Sequence, residues 1–152
     1  MPKGSAVMAI REKDLWKGFF NFRTSADNGS ALFAHCIGLL HDTCDKYGIP
    51  FDLYYDDFAT GKFIPTDAGK CAVIFNPDSP KGSLCYCILI TDTAYSTLVQ
   101  GWRLYNTSNV NPPRSKDISL KSIGTAIFGN KADQEWNAIM DRVFEDINRQ
   151  IQ

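Results

Sequence analysis

The sequence predicts an α+β fold: an antiparallel sheet of about four to five strands, packed by two N-terminal helices and one C-terminal amphipathic helix. Two observations support this prediction. Two apolar segments, Lys70–Phe75 and Ser83–Thr91, flank a turn that contains two prolines and a glycine. A long apolar stripe with helical spacing then closes the chain. Helices that bracket a run of strands are typical of this class.

The two apolar segments are predicted to be the central hairpin of the sheet. A strand with one wet face alternates apolar and polar residues, and neither segment does so. In the second segment, one face carries Leu84, Tyr86, Ile88 and Ile90, and the other carries Cys85, Cys87 and Leu89. We therefore expect both faces of the hairpin to be covered.

Two helices and a strand are predicted before the hairpin. Ile10–Phe22 has a possible helical stripe of bulky residues, and Ser30–Tyr47 repeats apolar residues at three and four, with Gly48 to end it. Phe51–Phe58 alternates as a strand, and Lys62–Ile64 is a candidate short return strand.

The chain after the hairpin is less regular. Residues 93–100 fit a short helix or a loop, Gly101–Asn106 fits a strand, and Thr107–Asp117 has the composition of a surface loop. Ile118–Phe128 stays ambiguous. The last segment is a clear amphipathic helix, whose stripe is Trp136, Ile139, Met140, Val143, Phe144, Ile147 and Ile151.

Length and composition fit one domain over residues 8–152, with residues 1–7 as a flexible tail or cloning remnant. A net charge of −1 argues against nucleic acid as the partner. There is no apolar run of membrane length and no signal peptide, so we predict a cytoplasmic protein that does not enter a membrane. The five cysteines are then expected to be reduced, buried thiols.

Two groups of side chains suggest a metal site and are interpreted as structural. His41 shares a helix face with Cys44 and Asp45, but zinc needs three or four ligands. Cys85 and Cys87 share a strand face, and Cys71 could join them, but apolar surroundings disfavour the thiolate form. We predict no metal and no cofactor.

An acidic cluster supports an enzymatic alternative. Asp52, Asp56 and Asp57 lie on one predicted strand, and His41 could assist them. Carboxylates of this kind can hold a divalent ion in a metal-dependent hydrolase or phosphodiesterase. A solvated strand face is the simpler interpretation, and no recognised catalytic motif occurs in the chain.

The leading hypothesis is therefore a small, non-enzymatic protein that recognises a protein partner. Small inhibitor, immunity and phage accessory proteins often have this general character, and they are offered only as an analogy between classes of protein. Trp102, Arg103 and Arg114 are the predicted anchors, because Trp and Arg dominate binding hot spots. The loops Thr107–Asp117 and Asn76–Gly82 are the predicted contact elements.

Two further hypotheses concern ligands and assembly. Tyr54, Trp102 and Tyr105 could line an apolar pocket that sequesters a small ligand or a nucleotide. The second hypothesis is a homodimer that forms through the sheet face, because a second copy of the chain would cover the second apolar face of the hairpin.

Overall fold

The computed structural model describes residues 10–59, 68–79, 83–93, 95–104 and 131–151, which form a mixed α and β fold. The described strands are β1 (Ile10–Arg11), β2 (Leu15–Thr24), β3 (Asp52–Ala59), β4 (Ala68–Phe75), β5 (Tyr86–Asp92) and β6 (Thr97–Leu104). The described α-helices are α1 (Gly29–Tyr47) and α2 (Lys131–Ile151). The α+β class is therefore compatible with the structure. The described residues contain six strands and two α-helices, which differs in detail from the predicted four to five strands and three helices.

The six described strands make one sheet in the order β1-β3-β4-β5-β6-β2. Neighbours are antiparallel except β1 and β3, which run parallel. The predicted hairpin is β4 and β5, and it occupies the middle of the sheet as expected.

The sheet is strongly curled because its two edge strands are consecutive in sequence. Only Glu12–Asp14, one turn of 3-10 helix, separates β1 from β2. A flat sheet of six strands would hold its edge strands about 24 Å apart, at about 4.8 Å per strand. The chain from Arg11 to Leu15 spans at most about 14 Å when extended. The sheet must therefore bend until its edges approach each other.

Curling gives the sheet an outer and an inner face, and each has its own core. Both helices pack on the outer face against a cluster that includes Ile74, Tyr86 and Ile88. The inner cluster joins strands from both ends of the sheet: Ile10, Phe58, Cys71, Val73, Phe75, Cys85, Cys87, Leu89 and Leu104. The two predicted faces of β5 thus enter different cores, as the alternation indicated.

Both faces of the hairpin are buried within a single chain. Ala72 and Ile74 on the outer face, and Cys71 and Val73 on the inner face, are 0% exposed. The prediction that both faces are covered is confirmed. The curl itself supplies the second cover, so the physical reason for expecting a homodimer disappears, although the dimer itself stays an untested prediction.

The predicted helix Ile10–Phe22 is wrong, since these residues form β1, the 3-10 turn and most of β2. Two register shifts interrupt the pairing of β2 with β6, one between Leu15 and Lys17 and one between Gly18 and Phe20. Each irregularity disturbs the alternation of inward and outward side chains. As a result, the apolar residues of this segment lie three and four residues apart in sequence, a pattern that mimics a helix.

The other predicted elements have mixed outcomes. The helix Ser30–Tyr47 and the strand Phe51–Phe58 are confirmed within two residues, and the predicted stripe from Trp136 to Ile151 lies in α2. Gly48 ends α1 with a positive φ of 70°. β6 begins at Thr97, so residues 97–100 are strand rather than helix or loop. Lys62–Ile64, Thr107–Asp117 and Ile118–Phe128 lie outside the described residues. Neither described helix combines the length and apolar character that crossing a membrane requires.

Candidate functional site

A cavity of about 450 Å³ opens where the inner face of the curled sheet is not filled by side chains. Its volume lies in the range of small-molecule sites, about 300–1,000 Å³. Four strands or their connections contribute its apolar walls, which are formed by Leu15, Phe58, Leu89, Leu98 and Trp102. Strands from both ends of the sheet meet here only because the sheet curls.

Polar residues also line this cavity: Glu12, Thr91, Asp92, Thr93 and Gln100. Two of them belong to a hydrogen-bonded turn between β5 and β6. The Thr93 backbone N–H donates to the Ser96 carbonyl at 2.7 Å, and the Thr97 hydroxyl donates to Asp92 Oδ1 at 2.7 Å. These bonds fix the turn at the rim of the cavity, and they direct the Asp92 carboxylate to Thr97, whose side chain lies beside Gly29 of α1 on the outer face.

The position of Trp102 is determined by its neighbours on both sides. Its indole Nε1–H donates to Gln100 Oε1 at 2.8 Å, two residues earlier on the same strand face. Gly18 is its register partner on β2, and a Cβ placed there would lie 3.3 Å from the indole ring. The absence of a side chain at Gly18 therefore lets the ring lie against the neighbouring strand.

The predicted ligand-pocket residues are separated by the structure. Trp102 lines the cavity, as that hypothesis requires. Tyr54 is half-buried against the inner core, with its ring 6.1 Å from that of Phe75, and is not part of the cavity lining. Tyr105 lies outside the described residues, as does the predicted anchor Arg114.

Arg103, the other predicted anchor, takes part in a contact between the sheet and α2. Its Nη1 lies 2.9 Å from Asp141 Oδ2 and 3.1 Å from Asp141 Oδ1. The buried Tyr86 hydroxyl also donates to Asp141, and it lies 2.8 Å from the Asn137 carbonyl oxygen. Burial, with Asp141 as the next cause, raises the pKa of Tyr86. Trp16 covers Arg103, whose guanidinium lies 4.5 Å from the indole centroid.

The acidic strand residues do not form one metal-binding group. Asp57 pairs with Lys70 at 2.6 Å, and this contact raises the pKa of the lysine. Asp56 is half-buried, and desolvation raises its pKa. Asp52 is exposed and accepts a hydrogen bond from the Leu53 backbone N–H at 2.8 Å.

No group of three or more His, Cys, Asp or Glu side chains with a geometry for metal occurs in the described part of the chain. His41 is exposed, and its ring packs against Phe51 with centroids 4.8 Å apart. All five cysteines are free and buried. Burial raises the pKa of Cys36, Cys44 and Cys71 from 9.0 to about 12, so these are unreactive thiols at neutral pH.

Sequence reasoning missed most of the cavity. Glu12, Leu15 and Phe58 are not adjacent to Gln100 in sequence, and each lies in a segment with no recognisable motif. One signal was present, since Gln100 and Trp102 are two residues apart in a strand-like segment and share a face. The short connection Glu12–Asp14, which closes the curl, was hidden inside the predicted helix.

Comparisons with protein-family models, curated proteins and solved structures found no match. The geometry of the cavity is therefore the basis for assigning a function.

Proposed function

We propose that this protein binds a small, largely apolar molecule in the cavity at the mouth of the curled sheet. The observation that carries the proposal is the cavity itself, about 450 Å³ with five apolar and five polar lining residues. Small-molecule sites have this character: apolar walls for affinity and a few fixed polar groups for orientation. The proposal is the ligand-sequestering hypothesis from the sequence, relocated around Trp102.

The construction of the cavity walls supports a binding role. The lining side chains come from a sheet rather than from long loops, so the cavity is largely preformed. Preformed sites lose less conformational entropy when a ligand binds. The buried, unreactive thiols of the inner core support action in a reducing compartment, and we propose the cytoplasm.

The proposal can be tested with N-phenyl-1-naphthylamine, a neutral fluorescent probe of apolar pockets. We expect saturable binding at one site with a Kd on the order of 0.1 mM, as about 0.3 kcal/mol per non-hydrogen atom gives for a ligand of this size. Leu98→Trp should fill the cavity and weaken binding at least tenfold. Leu39→Trp is the matched control, because Leu39 is also half-buried but packs in the outer core.

Equal affinity of the wild type and a folded Leu98→Trp variant would refute the proposal. Amide chemical shifts of the wild type give a second test that needs no variant. Addition of the probe should shift the amides of Leu89, Thr91 and Gln100, which lie around the cavity. Shifts confined to α1 or α2 would place the probe elsewhere and overturn the proposal.

Recognition of a protein partner is the second candidate, and exposed aromatic side chains favour it. Trp16, Tyr55 and Tyr95 are 46%, 61% and 95% exposed. Trp and Tyr are enriched in binding hot spots, and the contact of Trp16 with Arg103 restricts its rotation. Replacement of Trp16 by alanine should then abolish capture of the partner while the thermal unfolding midpoint changes by a few degrees at most.

A further inference from the structure

We infer that the ligand of this cavity is an uncharged molecule whose apolar body carries a carbonyl group, as in a ketone or an ester. This inference rests on the proposed binding function. It adds the polar group that the ligand presents to the protein, which the volume and the apolar walls of the cavity leave open. The observation that carries it is a pair of hydrogen-bond donors on the inner wall, the Gln100 carboxamide and the Thr91 hydroxyl.

Trp102 determines which way the Gln100 carboxamide faces. The indole N–H can only donate, so the atom that it meets at 2.8 Å is the carboxamide oxygen, Gln100 Oε1. The amide nitrogen, Nε2, must then point away from the indole and has no hydrogen-bond partner among the described residues. Nε2 is also accessible, because Arg103 Nε is the one buried side-chain atom without a partner in the described part of the chain. Two N–H donors are therefore available on a residue that lines the cavity.

Strand alternation places Gln100 and Thr91 together on the inner face of the sheet. Gln100 is the register partner of Leu89, a member of the inner core, and Thr91 is the partner of Leu98. The two polar residues are therefore diagonal neighbours, about 7–8 Å apart, on one face. The Thr91 methyl group lies against Gly69 of β4, where an added Cβ would come within 2.7 Å of it. No described residue makes a hydrogen bond with the Thr91 hydroxyl, which is thus a second available donor.

The inner wall has no charged group that could meet an ion. The lining contains no Lys, Arg or His side chain. Of its two acidic residues, Asp92 directs its carboxylate to Thr97 on the outer face, and Glu12 is exposed and makes a contact of its own. An anion would lose its hydration here without meeting a cation, which disfavours carboxylates and the phosphates of a nucleotide. A carbonyl oxygen needs only N–H or O–H donors, and this wall supplies both.

Three naphthalenes with the same ring system test the inference by direct titration. 2-Acetylnaphthalene carries the carbonyl group, 2-isopropenylnaphthalene has C=CH₂ in its place with nearly the same shape, and 2-naphthoate is an anion at pH 7. The alkene is more hydrophobic than the ketone, so the informative quantity is the ratio of ketone to alkene affinity, compared between wild type and variants. We expect 2-naphthoate to bind about tenfold more weakly than the ketone, or weaker still.

Gln100→Glu is the decisive variant. Its carboxylate can still accept the Trp102 N–H but has no donor for a ketone, so the ratio of ketone to alkene affinity should fall about tenfold. Gln134→Glu is the matched control: it makes the same substitution at an exposed residue of α2 outside the cavity and should leave the ratio unchanged. The chemical shift of the Trp102 indole N–H reports whether its bond to position 100 persists in the variant.

A measurement on the wild type keeps the inference testable if the variant does not fold. The side-chain amide protons of Gln100 should shift on addition of the ketone and much less on addition of the alkene, because only the ketone accepts a hydrogen bond from them. The backbone amide of Thr91 should shift with both compounds, since both occupy the cavity.

The outcomes separate the inference from the proposed function. If the ratio of ketone to alkene affinity is the same in the wild type and a folded Gln100→Glu variant, the inference is overturned and the cavity remains a binding site. The same holds if 2-naphthoate binds best, if the Gln100 side-chain amide shifts equally with ketone and alkene, or if the neutral probe binds and the ketone does not. If no naphthalene binds and the neutral probe also fails, the proposed function itself is wrong and the inference falls with it.

Discussion

Replacement of Gly101 by alanine should destabilise the protein by about 2–3 kcal/mol. Gly101 lies in the middle of β6, between Phe20 on β2 and Ile88 on β5. A Cβ at this position would lie 2.3 Å from Phe20 Cε2 and 2.5 Å from Phe20 Cζ. Carbon atoms normally approach to about 3.5–4.0 Å, so the ring must move by more than 1 Å.

The ring of Phe20 has little room to move. It stacks on Phe22 with centroids 5.2 Å apart and on Phe144 at 6.0 Å, and the residue is 6% exposed. Overpacking of a core costs about 1–3 kcal/mol, and complete loss of a buried Phe side chain costs about 3–5 kcal/mol. Alanine recovers up to about 1 kcal/mol because it restricts the unfolded chain more than glycine does. The expected net loss of stability, about 2–3 kcal/mol, therefore lies between the cost of simple overpacking and the cost of losing the whole Phe20 side chain.

Urea unfolding followed by tryptophan fluorescence measures the change through its midpoint at constant slope. Gly38→Ala is a matched control, since a Cβ on Gly38 meets nothing within 4 Å and the residue lies inside α1. The control should be stabilised by about 0.5–1 kcal/mol. In a Phe20→Leu background, Gly101→Ala should cost less, which a double-mutant cycle measures. A neutral or stabilising Gly101→Ala substitution would refute the packing argument.

Two further predictions concern the outer and inner cores. Asp141→Ala should destabilise the protein by about 2–3 kcal/mol in urea unfolding, because Arg103 and Tyr86 both lose a charged partner. Tyr86→Phe removes only one of these contacts and should cost about half as much. Equal costs for the two variants would show that the ion pair between Arg103 and Asp141 contributes nothing to stability. Burial raises the pKa of Cys71 from 9.0 to about 12, so the folded state holds this proton more tightly than the unfolded state. Its contribution to stability is complete below pH 9 and is lost as the pH rises towards 12. The stability advantage of the wild type over Cys71→Ala should therefore shrink above pH 9, and an advantage that stays constant to about pH 11 would contradict this assignment.

Elements with an undisturbed period could be predicted from sequence. The stripe of α2 repeats without interruption from Trp136 to Ile151, and its buried members lie in the outer core. The hairpin of β4 and β5 was equally clear, because segments that are apolar on both faces belong at the centre of a sheet. In both cases one physical pattern accounts for every residue of the element.

β2 could not be predicted because its pattern is a mixture. The aromatic residues of Leu15–Thr24 favour a strand, but the register shifts around Lys17 and Gly18 give them helical spacing. An irregularity depends on the partner strand, here β6, which begins 73 residues after Thr24 at Thr97. The sequence of β2 therefore shows the irregular spacing of its apolar residues, but β6, the partner strand that explains this spacing, lies far away in the chain.

The candidate site was hidden for a related reason. Trp102 was singled out as a bulky aromatic residue, but its companions Glu12 and Phe58 become neighbours only when the sheet curls. The curl follows from two facts together: β1 and β2 are consecutive, and they form opposite edges of the sheet. The second fact is a property of the complete topology, and no window of sequence contains it.

The distribution of side-chain sizes on the inner face explains why a cavity remains at one end of the curl. The inside of a closing sheet has less room than the outside, so small side chains suit its middle, where Cys71, Val73 and Cys87 lie. At one end the space is filled by Phe75 and Tyr54. At the other end Leu89, Leu98 and Trp102 do not fill the space, and the polar residues Thr91 and Gln100 also line it. Large apolar side chains in place of Thr91 and Gln100 would close this end of the curl, and under the proposed function a bound molecule would occupy the space instead.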